Sequence, residues 1–276
     1  MAVVPTSGPA GTLGAGSGPI GPRPGDTEVV SLLESWAAGE HTAPVDGTAT
    51  THPTYRKGTG PGVVLIHEIP GLTPAVIGFG EEVVAAGFTV VMPHLFGTPE
   101  RPATVVHVAQ TMRQVCVSAE FTKLRTGVTS PVATWLRSLA RGLHSELGGP
   151  GVGALGMCFT GGFALAMMVD DSVAAPVLAQ PSVPFPIGRR RAADLNLSSD
   201  DLEVVRRRAA GGCQVLGLRY AEDAAVGRRF ETLTRELGDD FVRVEFPGRQ
   251  HSTLTEHRQQ EAVDRVLAFF DERLHA

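Results

Sequence analysis

The sequence predicts a doubly wound α/β domain, a mostly parallel β-sheet with helices on both faces. Three observations carry this reading. Short apolar runs recur at 62–68, 88–92, 152–155, 173–178, 214–219 and 241–246, as expected of strands covered on both sides. Helical patterns alternate with these runs, which implies crossover connections and a parallel sheet. A glycine-rich corner at 156–162 then joins an apolar strand to an apolar helix. In such a sheet, ligands bind at the carboxyl ends of the strands.

Length and composition set the outer limits. A chain of 276 residues holds one large α/β domain or two small ones, and 42% hydrophobic residues is the composition of a globular protein. No apolar run approaches the roughly 18 residues of a membrane span. The net charge of -5 argues against a nucleic-acid partner. Arg189, Arg190 and Arg191 form the densest basic cluster, and a run of three reads as a solvated loop. The three cysteines, Cys116, Cys158 and Cys213, show neither zinc-ligand nor disulfide spacing. With no secretory pattern among the first residues, a cytoplasmic location is expected.

Residues 1–25 contain seven Gly and five Pro. The composition predicts a disordered arm over 1–26, followed by a single domain over 27–276. Val29, Val30, Leu32, Leu33 and Trp36 suit a helix over 27–38, and partial alternation over 45–56 suits an edge strand. The strand at 62–68 ends on His67 and Glu68. A helix at 75–86 and a strand at 88–92, closed by Pro93, complete the first crossover. Residues 94–130 show no sustained period and fit either a lid-like excursion or a pair of short helices. Ser130-Pro131 reads as a cap and first turn for a helix whose apolar face is Val132, Trp135, Leu136, Leu139, Leu143 and Leu147. Gly148-Gly149-Pro150 stops it.

After the strand at 152–155 and the apolar helix at 159–169 come a strand at 173–178 and a Pro-rich exit, Gln180 to Pro186. Helices at 200–210 and 224–237 alternate with strands at 214–219 and 241–246. Thr253-x-x-Glu256 has capping-box spacing, ahead of a final helix with Val263, Val266, Leu267, Phe270 and Leu274 on its core face.

Cys158 sits at the glycine-rich corner. Free cysteine is often a small buried hydrophobe, and in isolation Cys158 would be read so. Gly156, Gly161 and Gly162 change that reading, because a tight strand-to-helix elbow needs positions without side chains. An elbow lifts its central residue above the sheet edge, and the following helix start favours a thiolate there. Glu68, Asp223 and His251 also fall just past the ends of predicted strands, so all four share one edge. Asp223 could instead cap the next helix, and His251 could be a plain loop histidine. Together with the elbow they supply nucleophile, base and orienting acid, in the chain order nucleophile, acid, His.

Over roughly residues 45–274 the sequence resembles the dienelactone hydrolase family of cysteine-dependent α/β hydrolases. The resemblance rests on Val-Leu-Ile-His-Glu-Ile-Pro-Gly-Leu at 64–72, Gly-Met-Cys-Phe-Thr-Gly-Gly at 156–162, the Asp223 turn, and Pro-Gly-Arg-Gln-His-Ser at 247–252. It implies an α/β-hydrolase fold and a carboxylic ester or lactone as a small-molecule substrate. Turnover would pass through a thioester on Cys158, with His251 as base and Asp223 fixing its tautomer. The backbone N–H groups of Ile69 and Phe159 would hold the oxyanion. The resemblance assigns Glu68 to holding and activating the resting thiol. It implies no metal or organic cofactor, no membrane or nucleic-acid partner, and a monomer.

Two departures stand out. Thr160 replaces a Gly usual in the family, and no Arg follows His251 to bind a carboxylate: Ser252, Thr253, Leu254 and Thr255 stand there. Arg101, Arg125 and Arg249 are other candidates for an acidic group. Two alternatives share the fold: a non-catalytic ligand-binding or redox-sensitive protein, and an acyltransferase.

Overall fold

The computed structural model describes residues 1–2, 31–121 and 124–275. The arm expected over 1–26 lies, its first two residues apart, outside them. Among the described residues eight strands form one sheet: β1 (Ala37–Val45), β2 (Thr48–Lys57), β3 (Gly62–Ile66), β4 (Thr89–Pro93), β5 (Val152–Met157), β6 (Val173–Ala179), β7 (Val215–Tyr220) and β8 (Phe241–Phe246). Their order is β1-β2-β4-β3-β5-β6-β7-β8. The β1–β2 and β2–β4 pairs are antiparallel, and every other pair is parallel. The strand order reverses around β3 and β5, so the ends of those strands border the crevice that such sheets use for ligands.

The helices are α1 (Pro74–Ala85), α2 (Val105–Val117), α3 (Val132–Leu147), α4 (Gly161–Met167), α5 (Gly188–Ala192), α6 (Ser199–Ala210), α7 (Arg229–Leu237) and α8 (Gln260–Leu274). Alternate side chains of a strand point to opposite faces, and β3 divides the core accordingly. Val63 and Leu65 join the α1 and α8 side, with Val76, Phe79, Val263 and Phe270. Val64 and Ile66 join the α3, α4 and α7 side, with Trp135, Leu136, Phe163 and Phe230. Each face is thus sealed from water, which is why these strands read as unbroken apolar runs.

Several elements differ from the sequence reading. The helix expected over 27–38 is not formed in its described part: residues 31–36 are turns and Ala37 begins β1. Leu33 and Trp36 are still buried, and Trp36 Nε1 donates to Glu81 Oε1 at 2.7 Å, so turns satisfy the same apolar spacing. The expected edge strand at 45–56 is a hairpin, β1 and β2, turning at Asp46-Gly47 with φ of 47° and 78°. Asp-Gly is the pair that a two-residue hairpin turn with two positive φ angles prefers.

Among its described residues, the stretch 94–130, expected as a lid-like excursion or a pair of short helices, yields one helix, α2, capped by Thr104, whose hydroxyl accepts from His107 N. The Ser130 hydroxyl does not cap α3. It donates to Asn196 Oδ1 at 2.8 Å. Thr253 is likewise not the start of a capping box: its hydroxyl donates to Gln180, and α8 begins only at Gln260. Residues 224–228 form turns ahead of α7, and the Arg189–Arg191 cluster lies in α5 rather than in a loop. Among the described residues, no helix is long and apolar enough to cross a membrane.

Candidate active site

The site is built at the carboxyl ends of β3, β5, β6, β7 and β8. Cys158 follows β5 directly and adopts φ 52°, a left-handed conformation that costs a non-glycine residue roughly 1–3 kcal/mol. The surrounding chain holds it there. A side chain at Gly156 would put Cβ 2.2 Å from Thr160 O, and one at Gly161 would put it 2.7 Å from Pro181 Cα. No other residue type fits either position. A 3₁₀ turn over Cys158–Thr160 then leads into α4.

Thr160 does not loosen this elbow. Its fully buried hydroxyl accepts from Met157 N at 3.0 Å and lies 3.1 Å from the carbonyl oxygens of Met157, Ile66 and His67. It therefore fastens the elbow to the end of β3. His67 anchors the same end from the other direction. Its Nδ1–H donates to Glu68 O at 3.0 Å, and its Nε2 accepts from Leu95 N at 3.1 Å. Both contacts are met only by the neutral ring, and burial drives its pKa down to about 3.

Asp223 follows β7 and is nearly buried. Its Oδ1 accepts from Ala225 N at 2.9 Å, and its Oδ2 accepts from His251 Nδ1 at 2.6 Å. Asp223 caps no helix, since residues 224–228 are turns and α7 begins at Arg229; one oxygen fastens that turn and the other orients His251. The ring of His251 also meets Cys158. Burial opposes a charge on His251, but the charge of and hydrogen bond to Cys158, with those of Asp223, outweigh it and raise the pKa to about 11. The structure therefore brings Cys158, His251 and Asp223 together.

Glu68 is also buried here, but its carboxylate faces hydroxyls. Ser252 Oγ donates to Oε2 at 2.8 Å and Thr255 Oγ1 donates to Oε1. Burial pushes the Glu68 carboxyl above its ordinary range, against the pull of these two hydrogen bonds and of His251. The loop after His251 is tied down once more by Thr253, whose hydroxyl donates to Gln180 Oε1 at 2.8 Å. Ile69 follows Glu68 on the loop after β3, and Phe159 follows Cys158, so both backbone N–H groups border the same edge.

Three site contacts had no place in the sequence reading. Ser182 Oγ lies 3.5 Å from Cys158 Sγ, and Ser182 N donates to Cys158 O at 2.9 Å. Gln180 and the Ser252–Thr255 pair are the others. Gln180 and Ser182 could have been found by the strand-end rule that found Asp223, since both follow β6. The three arginines now separate. Arg101 donates to Gln110 at 2.9 Å and Arg249 pairs with Glu222 at 2.9 Å, both at the surface. Arg125 instead lines a cavity of about 590 Å³ together with Cys116, Ser118, Ala119, Phe121, Leu124 and Phe185. Among the described residues, no cluster of His, Cys, Asp and Glu is arranged to hold a metal ion.

Solved structures share this architecture. A dienelactone hydrolase from Anabaena variabilis is 14% identical with a TM-score of 0.54, covering 87% of this chain and 99% of that one. A cold-adapted esterase from an Arctic intertidal metagenomic library is 17% identical with a TM-score of 0.55, covering 87% and 95%. A dienelactone hydrolase-like promiscuous phosphotriesterase from metagenomic libraries is 16% identical with a TM-score of 0.55, covering 87% and 99%. These likenesses establish the α/β-hydrolase fold. No curated protein matches the sequence. The family model of the dienelactone hydrolase family matches residues 47–273, and the chain belongs to that family.

Proposed function

We propose that this chain is a hydrolase of carboxylic esters or lactones that works through a Cys158–His251–Asp223 triad and a thioester acyl-enzyme. The observation that carries the reading is geometric: the ring of His251 meets Cys158 and is oriented by Asp223, whose Oδ2 accepts from its Nδ1 at 2.6 Å. A base that meets a thiol and is itself oriented by a carboxylate is the arrangement that activates a cysteine nucleophile.

In the first half-reaction the Cys158 thiolate attacks the carbonyl carbon, and the π electrons move onto oxygen. The N–H groups of Ile69 and Phe159 receive that oxyanion. The intermediate collapses, the bond from carbon to the alcohol oxygen breaks, and His251 passes its proton to the leaving alkoxide. In the second half-reaction neutral His251 takes a proton from water, hydroxide attacks the thioester, and the sulfur leaves as thiolate beside the restored imidazolium. Asp223 keeps the Nδ1–H tautomer throughout.

In this reading Glu68 acts through Ser252 and Thr255, tying the His251 loop to the loop that bears Ile69. A working thiolate belongs in a reducing setting, so a cytoplasmic location is part of the proposal. The test is a pre-steady-state assay with p-nitrophenyl acetate, following nitrophenolate and protein mass together in the wild type and in Cys158→Ala. A burst with a transient acetyl adduct, absent from the variant, is expected. Equal turnover by Cys158→Ala would overturn the assignment.

A further inference from the structure

Two rings that line the cavity of Phe121, Leu124 and Phe185 contact the residue that follows the nucleophile. Phe159, the residue after Cys158, packs edge-on against Phe121 with centroids 5.4 Å apart and lies 6.2 Å from Phe185. Phe121 in turn stacks on Phe163 of α4. Cys158, Ile69 and Phe185 all pack against the large apolar core on this face of the sheet, to which Phe121, Phe159 and Phe163 belong. At about 590 Å³ the cavity falls within the range of roughly 300–1,000 Å³ typical of small-molecule sites.

The hydroxyls beyond His251 offer no comparable room. Ser252 and Thr255 are spent on Glu68, and Thr253 is spent on Gln180. Resting on the reading of Cys158 as nucleophile, we propose that the substrate is an ester bearing a bulky apolar group, aryl or medium-chain, and that this group lodges in the cavity of Phe121, Leu124 and Phe185. Arg125 is an exposed member of the lining, and an exposed guanidinium keeps its charge in water while the rings and Leu124 contact the apolar group.

The experiment compares kcat/KM over two ester series from two to eight carbons, one lengthened on the acyl side as p-nitrophenyl esters, the other on the alcohol side as n-alkyl acetates. On one side kcat/KM should rise by about fourfold per methylene until the cavity is full. Ala119→Trp places an indole in the cavity from an exposed lining position, and should cut the ratio of eight-carbon to two-carbon kcat/KM by tenfold or more. Calorimetry on Cys158→Ala gives a readout without turnover: ethyl octanoate should bind and ethyl acetate should not, and the added Ala119→Trp change should remove the binding. If acetate esters turn over while both series stay flat and octanoate fails to bind, the cavity assignment falls and the hydrolase stands. If octanoate binds in this pattern while the wild type cleaves no ester, the chemistry falls and the cavity assignment stands.

Discussion

Thr160→Val tests whether the elbow depends on a single hydroxyl. Valine keeps the branched shape but provides no acceptor for Met157 N and no donor to the carbonyls of Ile66 and His67, each 3.1 Å away. Thr160 is wholly buried, so water does not replace the lost partner. An unsatisfied buried donor costs about 1–3 kcal/mol, roughly a 5- to 160-fold loss in the folding equilibrium. Thr160→Ser keeps the hydroxyl and loses one methyl, which costs about 1 kcal/mol. Urea denaturation should show the midpoint falling further for Val than for Ser with an unchanged slope. The activity should split more widely. The hydroxyl sets the end of β3, and hence Ile69, against Phe159, and a shift of about 1 Å in a reacting geometry costs on the order of a hundredfold. A Val variant within 0.5 kcal/mol of wild type, or a Ser variant as impaired as Val, would refute the argument.

Three further outcomes follow from the charges around the site. Asp223→Asn should lower kcat by about 10⁴-fold, because an amide oxygen is a weaker partner for the imidazolium and an amide can favour the wrong tautomer. NMR titration should find His251 well below about 11, and an unmoved titration would contradict the assigned coupling. Glu68 has a raised pKa in the folded chain, so its contribution to stability is present in acid and is lost as pH rises through the folded value. Glu68→Gln should therefore gain stability relative to wild type as pH rises above about 4.5, measured by denaturation across pH; a difference independent of pH would remove the argument. His67 is depressed to about 3 by burial, so the stability tied to its neutral ring is present above its unfolded value of about 6.5 and declines as pH falls toward 3. The decline is at most about 1.4 kcal/mol per pH unit, and His67→Gln should flatten that acid limb in the same experiment.

The parts of the molecule legible in the sequence are those fixed by local chemistry repeated over a full element. The strands ending at Ile66, Met157 and Tyr220 are short apolar runs because both faces are covered, and periodicity reads that directly. The elbow was legible because Gly156 and Gly161 have no space for a Cβ, a constraint that leaves a mark on residue type. Hydroxyl partners leave no such mark. Ser130 and Thr253 both stand where a helix cap would be expected, and each gives its proton to an amide oxygen distant in sequence, on Asn196 and Gln180. Local sequence states what a hydroxyl can do, and tertiary packing decides which acceptor it meets. The hairpin at Asp46-Gly47 is a different case, since its turn signal is present and the alternation around it is only partial.

A common principle connects the hydroxyls around the site. The loops that bring Cys158 and His251 together are fastened by neutral groups: Thr160 to β3, Ser252 and Thr255 to Glu68, Thr253 to Gln180. A lysine or arginine in any of these places would compete with His251 for the Cys158 thiolate and the Asp223 carboxylate. A second fully charged carboxylate would compete for the imidazolium. In a low-dielectric site either competitor would act strongly over several ångströms. Hydroxyls hold the loops by direction without adding net charge, and burial pushes Glu68 toward its own neutral form. The field felt by His251 is then set mainly by Cys158 and Asp223, which is the condition under which one imidazole can give up and recover a proton as the sulfur changes charge.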